Sequence, residues 1–333
     1  MTSGSMNILA VDDDDIALDL LDAAVSAAGY KNLSLVRSGE EALVKIRQAA
    51  VPFDCFLLDI EMPGINGIEL CRAIRKMAQH RETPIIMISA LSDRTHIDQA
   101  FAAGAIDYLT KPFDPLEIAT RLGMSEKLHR ARATANSNKS SAASAKAELD
   151  TVRAFEMADA ITIPDVPATI SQLALENYMF RQSRWRLAQT VAVAFSILEV
   201  ADMFSRTTHS ERLYLLTDAA DAIATALKQS QFLLSYCGHG TFVCIADREV
   251  LSMMDYLEAA SQAAIEQIEP VYDDATICTM TLVMGAAVTV PLWAAKDPQN
   301  LISRAIQSAE ANRAQKHQER VSARLHQRTG LMK

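Results

Sequence analysis

The sequence predicts two α/β domains of different build: first a five-stranded, doubly wound parallel sheet, then a sheet-and-helix domain with its strands in another order. Three observations carry this. The chain has 333 residues, enough for two domains at roughly 100–200 residues each. Over its first third, short apolar runs alternate with stretches of helical periodicity, the pattern of parallel strands joined by crossover helices. After a stretch poor in large apolar side chains, strand and helix patterns resume in a new sequence.

In order, the apolar runs Asn7–Val11, Leu33–Val36, Phe53–Leu58, Pro84–Ser89 and Ile106–Leu109 read as strands. Between and after them, Ile16–Ala28, Gly39–Gln48, Gly67–Met77, Asp93–Ala103 and Pro115–Leu128 carry apolar residues at three-to-four spacing and read as helices. The last continues to Arg132, long enough to project beyond the domain. Ala133–Ala147, ATANSNKSSAASAKA, cannot build a core. Its Ala and Lys content permits a helix and its Ser and Asn content disfavours one, so a flexible hinge is expected; no heptad persists for three repeats. The boundaries are therefore 6–128 for the first domain, 129–154 for a helical or flexible linker and 155–333 for the second domain.

In the second domain Val191–Val200, Phe232–Tyr236, Thr241–Ala246 and Thr276–Ala287 read as strands. Thr169–Ala188, Arg212–Lys228, Arg248–Glu266 and Gln299–Gln327 read as helices. Cys237–Gly240, CGHG, joins two strand runs as an antiparallel hairpin. A central sheet with helices on one side is the expected architecture.

Composition narrows the function. With 50% hydrophobic and 22% charged residues the chain is globular rather than disordered. No apolar stretch reaches the roughly 18–20 residues that span a bilayer, so no membrane partner is expected. The start MTSGSMNILAVDDDD lacks the basic and apolar regions of a secretory signal, and Met1–Ser5 reads as an unstructured lead-in. Formal charge is -6 over residues 1–130 (13 Lys/Arg, 19 Asp/Glu), +2 over 131–154 (4 and 2) and -5 over 155–333 (15 and 20), together the net -9. Neither large segment is basic, which argues against nucleic acid as a partner. Cys55, Cys71, Cys237, Cys244 and Cys278 are odd in number and scattered without metal-ligand spacing, so buried thiols in a reducing cytoplasm are expected.

In a doubly wound sheet, ligand chemistry sits outside the carboxyl ends of the strands. There the sequence places Asp12-Asp13 after the first strand, Asp59 after the third, Ser89-Ala90 after the fourth and Lys111-Pro112 after the fifth. Crowded carboxylates repel one another and are costly to desolvate, so they suggest a divalent cation held by oxygens, of the kind Mg²⁺ prefers. Asp14 and Asp15 read as charges favoured at a helix N-terminus.

The segments ILAVDDD, FLLDIEMPGINGIEL, IIMISAL and YLTKPFD, in this order and spacing, resemble two-component response-regulator receiver domains over Asn7–Met124. The resemblance implies the flavodoxin-like fold and a cytoplasmic phosphoprotein. It implies that Asp59 is phosphorylated by a histidine kinase or phosphotransfer protein. By the same resemblance Asp13, Asp59 and the Glu61 backbone carbonyl hold Mg²⁺ directly and Asp12 holds it through water, while Ser89 and Lys111 contact phosphoryl oxygens. Ala90 lies beside Ser89 in that switch region, and Pro112 follows a cis bond. Tyr108 keeps two readings, a switch aromatic or a half-buried strand residue. Phosphoryl transfer asks for an in-line nucleophile and neutralised equatorial oxygens, and these residue types supply both.

The second half resembles a GGDEF (diguanylate cyclase) domain along ILEVADMF, LLTDAADAIATALKQSQFLLSYCGHGTFVCI, TMTLVMGAAVTVP and LISRAIQSAE. This implies a nucleotide-cyclase-like α/β fold. The motif residues differ. Where the family has Gly-Gly-Asp/Glu-Glu-Phe, this chain has Gly238-His239-Gly240-Thr241-Phe242, and Val200 stands at the family's metal-binding aspartate, with Asp202 out of phase. The inhibitory Arg-x-x-Asp site aligns with Gln229–Phe232 and is missing. Without those carboxylates no metal can be held against a triphosphate, so the domain is expected not to be an enzyme. His239 reads as an exposed turn residue, and Trp185 and Trp293 as core or interface anchors. Arg313, Lys316, Arg320, Arg324 and Arg328 form a basic stripe, either a solvated face or a contact for an acidic partner. The expectation is a response regulator whose degenerate GGDEF-like module acts on an unnamed downstream protein or by homodimerisation. A GTP or cyclic di-GMP sensor, a phosphate sink and a cyclase with atypical ligands follow as alternatives, in that order.

Overall fold

The structure is a computed structural model that describes residues 6–90, 94–140, 155–274, 276–291 and 298–330, with backbone alone for 94, 128–140 and 323–330. It divides into two compact units, Met1–Leu149 and Asp150–Lys333.

The first unit runs β1 (Asn7–Val11), α1 (Asp15–Ala27), β2 (Asn32–Val36), α2 (Gly39–Gln48), β3 (Cys55–Asp59), α3 (Gly67–Arg75), β4 (Ile85–Ser89), α4 (Arg94–Ala102), β5 (Asp107–Thr110) and α5 (Pro115–Ser140). Its strands are all parallel in the order β2-β1-β3-β4-β5, the expected doubly wound sheet. Side chains alternate across it. Leu9, Val11, Phe56, Leu58 and Met87 pack with Ile46, Leu70, Ile74 and Ala100 of α2, α3 and α4. Ile8, Ala10, Leu57, Ile86 and Ile88 pack on the opposite face with Leu21, Val25, Ile118 and Leu122 of α1 and α5. Both faces are covered, which is why these strands read as unbroken apolar runs. Helix starts are set locally: Asp14 accepts from Ile16 N at 2.9 Å, Ser38 from Glu41 N at 3.1 Å, and Asn66 with Glu69 closes a capping box on α3.

One linker expectation changes locally. α5 continues as helix to Ser140, so residues 133–140 are helical rather than a flexible hinge. Ala133, Ala135 and Lys139 are its good helix formers among Ser, Thr and Asn positions. Residues 141–154, including the rest of the expected hinge, lie outside the described residues, as do Met1–Ser5.

The second unit runs α6 (Gln172–Phe180), α7 (Arg184–Gln189), β6 (Thr190–Ile197), α8 (Val200–Arg206), α9 (His209–Ala226), β7 (Phe232–Tyr236), β8 (Thr241–Asp247), α10 (Met254–Ile268), β9 (Leu282–Met284) and α11 (Pro298–Gly330). The sheet order is β7-β8-β6-β9 with every pair antiparallel. From β6 onward this is the β-α-β-β-α-β ferredoxin-like arrangement, α8 and α9 together forming the first crossover. β6 is buried along its whole length, because the sheet is covered on both sides. Val191, Val193, Phe195 and Ile197 meet Leu215, Ile223, Leu257 and Ile265 of α9 and α10. α11 packs on β6, β8 and β9, and takes the alternate face where Ala192 and Ala194 point. The expectation of helices on one side is therefore corrected: they flank both.

Other differences are local. The helix expected over Thr169–Ala188 is broken at residues 181–183, where Ser183 caps α7 by accepting from Arg186 N at 3.3 Å. The first strand stops at Ile197, and Val200 opens a helix that apolar periodicity did not reveal. The last strand shrinks to Leu282–Met284, whose outward N–H groups donate to Gln262 and Glu258 of α10 at 2.9 and 2.7 Å. Those two side chains take the place of a fifth strand and blunt the sheet edge. At the opposite edge Ile170 N donates to Leu234 O at 2.8 Å and Leu234 N to Ala168 O at 2.9 Å, so the segment before α6 covers β7.

Candidate functional site

The strand order reverses between β1 and β3, and the carboxyl ends of these neighbours carry Asp12, Asp13 and Asp59. Oxygens of the three carboxylates lie within 4.8 Å of one another. Asp12 is fully buried and Asp59 is 3% exposed, whereas Asp13 faces solvent. Ser89 and Lys111 reach the same edge through sheet register. Asp59 pairs with Ile88, so Ser89 stands one residue further along β4, and Lys111 N donates to Ser89 O at 2.7 Å. The Lys111 ammonium lies 2.6 Å from Asp12 Oδ2 and 2.8 Å from Asp59 Oδ1, and the Lys111–Pro112 bond is cis.

Electrostatics follow from this geometry. Burial pushes the Asp59 carboxyl up to about 6; the hydrogen bond from Lys111 opposes the rise and the charge of Asp12 adds to it. Burial pulls the Lys111 ammonium down, but its bonds to Asp12 and Asp59 outweigh that and leave it raised. One lysine thus neutralises part of a three-carboxylate cluster. The donor set fits a small divalent cation: hard carboxylate oxygens only, close together, with one exposed member leaving room for water. Glu61 is exposed two residues beyond Asp59, and Ala90 is exposed beside buried Ser89.

Tyr108 is half-buried on β5 with its ring edge-on to Phe101, centroids 6.2 Å apart and planes at 89°. Asp14 is the N-cap of α1, and Asp15 pairs with Arg37. Two supporting residues carried no signal in the sequence reading. A Cβ at Gly67 would lie 2.0 Å from the Asp59 carbonyl oxygen, so only glycine lets α3 start against the acceptor strand. Gly64 has φ of +73°, with Glu40 Oε1 2.5 Å from where its Cβ would be. A glycine in a loop signals a turn, and the close approach shows only in three dimensions.

In the second unit the Gly238–Phe242 stretch forms the expected hairpin between β7 and β8. Gly238, His239 and Gly240 have φ of +85°, +52° and +71°. His239 is exposed, as expected of a turn residue. Thr241 is buried, its hydroxyl 3.0 Å from that of Ser196, and the Phe242 ring packs on Tyr236 with centroids 5.1 Å apart. Val200 closes on this turn: a Cβ at Gly240 would lie 2.6 Å from Val200 Cγ2. Asp202 sits in α8 and pairs with Arg206. Over its first three members the basic stripe is met by groups of its own unit. Arg313 donates to His239 O at 2.6 Å, Lys316 pairs with Glu258, and Arg320 with Glu199. These acids come from distant positions, which a helix read by itself cannot show. Trp185 is 64% exposed and so is no core anchor. The Arg324 and Arg328 side chains and Trp293 lie outside the described residues.

All five thiols are outside disulfides, four of them buried and Cys237 half-buried. Among the described residues no helix is long and apolar enough to cross a membrane.

The family model for the response regulator receiver domain matches residues 8–123. The transcriptional regulatory proteins YvrH and ResD of Bacillus subtilis are 37% and 39% identical over 116 and 115 residues. Those stretches cover 35% and 34% of this chain, and 47% and 45% of the two relatives. The chain therefore spans less than half the length of these curated relatives. Among solved structures, the chemotaxis protein CheY4 of Vibrio cholerae is 31% identical, covering 35% of this chain and 96% of that one, with a TM-score of 0.33.

Proposed function

Residues 8–123 are a response regulator receiver domain, and from that premise we propose a phosphorylation-controlled regulator whose switch is Asp59 and whose second unit works by binding rather than catalysis. The observation that carries the proposal is Asp59 itself. It is a nearly buried carboxylate at a strand end, beside two further carboxylates and bonded to one lysine.

In the proposed step an Asp59 carboxylate oxygen attacks the phosphorus of a phosphohistidine on a kinase or phosphotransfer protein. The oxygen–phosphorus bond forms as the phosphorus–nitrogen bond breaks, and the electron pair stays on the donor imidazole. Asp13, Asp59 and the Glu61 backbone carbonyl would hold Mg²⁺, with Asp12 reaching it through water, and the ion would supply neutralisation of the phosphoryl oxygens. Lys111, now shared between Asp12 and Asp59, moves its charge toward a phosphoryl oxygen. The Ser89 hydroxyl donates to another. The raised pKa of Asp59, about 6, keeps part of it protonated near pH 6, so acceptance is expected to fall on the acid side.

For the second unit, the support for a non-catalytic role is chemical. The hairpin residues Gly238, His239, Gly240, Thr241 and Phe242 carry no carboxylate, and Val200 fills the space beside Gly240. A degenerate GGDEF-like module acting through a downstream protein or through dimerisation is the reading these residues favour. Incubation with acetyl phosphate and Mg²⁺, read as a mobility shift on a phosphate-affinity gel, is expected to label the chain and to leave Asp59→Ala unlabelled. Label that survives in Asp59→Ala would refute the acceptor. GTP with Mg²⁺ or Mn²⁺ is expected to give no cyclic di-GMP.

A further inference from the structure

The β7–β8 turn of the second unit is held from two sides in an unusual backbone state. Three successive residues, Gly238, His239 and Gly240, have left-handed φ, and the middle one carries a side chain. A non-glycine residue keeps such a conformation only where its surroundings fix it. Here both polar groups of the His239 backbone are engaged. Its N–H donates to the carbonyl of Met157 at 2.5 Å, and its carbonyl accepts from Arg313 Nη1 of α11 at 2.6 Å.

The Met157 contact belongs to a short segment, Phe155–Asp159, that lies directly on the turn. The Ala158 carbonyl oxygen is 2.5 Å from where a Gly238 Cβ would be, so glycine is what admits the segment. The segment closes on itself: Glu156 N donates to Asp159 Oδ2 at 2.8 Å and Asp159 N to Glu156 O at 3.0 Å. Phe155 pins its start, 4% exposed, edge-on to Phe204 of α8 and to His209 at the start of α9, with centroids 6.0 and 6.4 Å away. In sequence, Phe155 directly follows the 141–154 connection to the first unit.

We propose that Phe155–Asp159 is a releasable strap, and that phosphorylation in the first unit acts on the second by loosening this strap from the β7–β8 turn. The physical basis is an asymmetry of anchoring. Phe155 and Met157 pack the segment against the unit's core and one main-chain hydrogen bond joins it to the turn, whereas β8 and β6 are paired over seven residues. A change transmitted from the first unit along the chain therefore meets the strap before it meets the sheet. Release frees the His239 N–H and opens the apolar hole that Phe155 fills. The proposal rests on the phosphorylation reading above for its trigger and on the second unit's own geometry for its device.

Amide exchange at His239 and along 155–159 in the full-length chain, resolved to single residues by mass spectrometry with fragmentation, tests both parts. Phe155→Ala is expected to speed exchange at His239 by about tenfold or more, leaving Val193 and Cys244 in the sheet unchanged. Acetyl phosphate with Mg²⁺ is expected to shift wild type in the same direction, and Asp59→Asn not at all. Should Phe155→Ala unfold the unit, Gly238→Ala, which expels the Ala158 carbonyl, is expected to give the same local signature. Unchanged His239 exchange in whichever of these variants folds would overturn the strap. A response to Phe155→Ala with none to phosphorylation, in chain that a phosphate-affinity gel shows to be labelled, would overturn the coupling. Absence of label would instead point to the acceptor assignment.

Discussion

Gly67 has to be glycine because a Cβ there would lie 2.0 Å from the Asp59 carbonyl oxygen, a distance no side chain occupies. Gly67→Ala must push α3 off β3, and a loss of about 2–4 kcal/mol in denaturant unfolding of the first unit is expected, the range of a severe core misfit. Asp59 itself opposes folding. Its carboxyl is raised to about 6 in the fold and returns to the ordinary value near 4 when unfolded. The folded state therefore holds the proton more tightly, and this group's contribution is most favourable below about pH 4 and is lost as pH rises through 6. Asp59→Asn removes that penalty. In metal-free buffer at pH 7 it is expected to stabilise the first unit by about 1–3 kcal/mol, the gain vanishing near pH 4. An unchanged melting temperature at pH 7 would contradict the burial argument.

The elements of the second unit show how a small sheet is closed. β9 has three residues, and α10 supplies Gln262 and Glu258 to its outward N–H groups while Asn312 of α11 donates to Met284 O at 2.7 Å. α11 comes so near that a Cβ at Gly285 would sit 2.5 Å from Ala309 N, backbone against backbone. Gly285→Ala is expected to destabilise the unit by about 2–4 kcal/mol, read by thermal or urea unfolding, because neither partner can yield. The stripe on α11 behaves differently. Arg320 is half-exposed in its pair with Glu199, so Arg320→Ala is expected to cost no more than about 1 kcal/mol. Glu199 also accepts from Thr281 N and Oγ1, both at 3.0 Å, and its removal is expected to cost more than that of Arg320.

At the scale of the molecule, each unit has its own core, one around the parallel sheet and one around the antiparallel sheet. Mg²⁺ alone at the strand-end carboxylates should therefore stabilise the first unit selectively. Mg²⁺ is expected to raise the unfolding midpoint of the first unit by an amount that grows with the logarithm of its concentration, and to leave the second where it was. Calorimetry on wild type and Asp13→Ala checks this, the variant being expected to lose the shift.

Much of this was legible from the residues alone. The unbroken apolar runs of the parallel strands, their alternation with helices and the convergence of Asp12, Asp13, Asp59, Ser89 and Lys111 follow from local pattern plus one topological rule. Strand ends in a doubly wound sheet share an edge whatever lies between them. What needed the tertiary structure was every decision made by facing surfaces. The glycine at 67, the closure of Val200 on the β7–β8 turn, the helices on both sides of the second sheet and the pairing of Arg320 with Glu199, 121 residues away, leave no periodic trace. Local sequence fixes which side of an element is apolar. Which distant group that side meets is settled only when the chain packs, since it depends on distances that no spacing along the chain encodes.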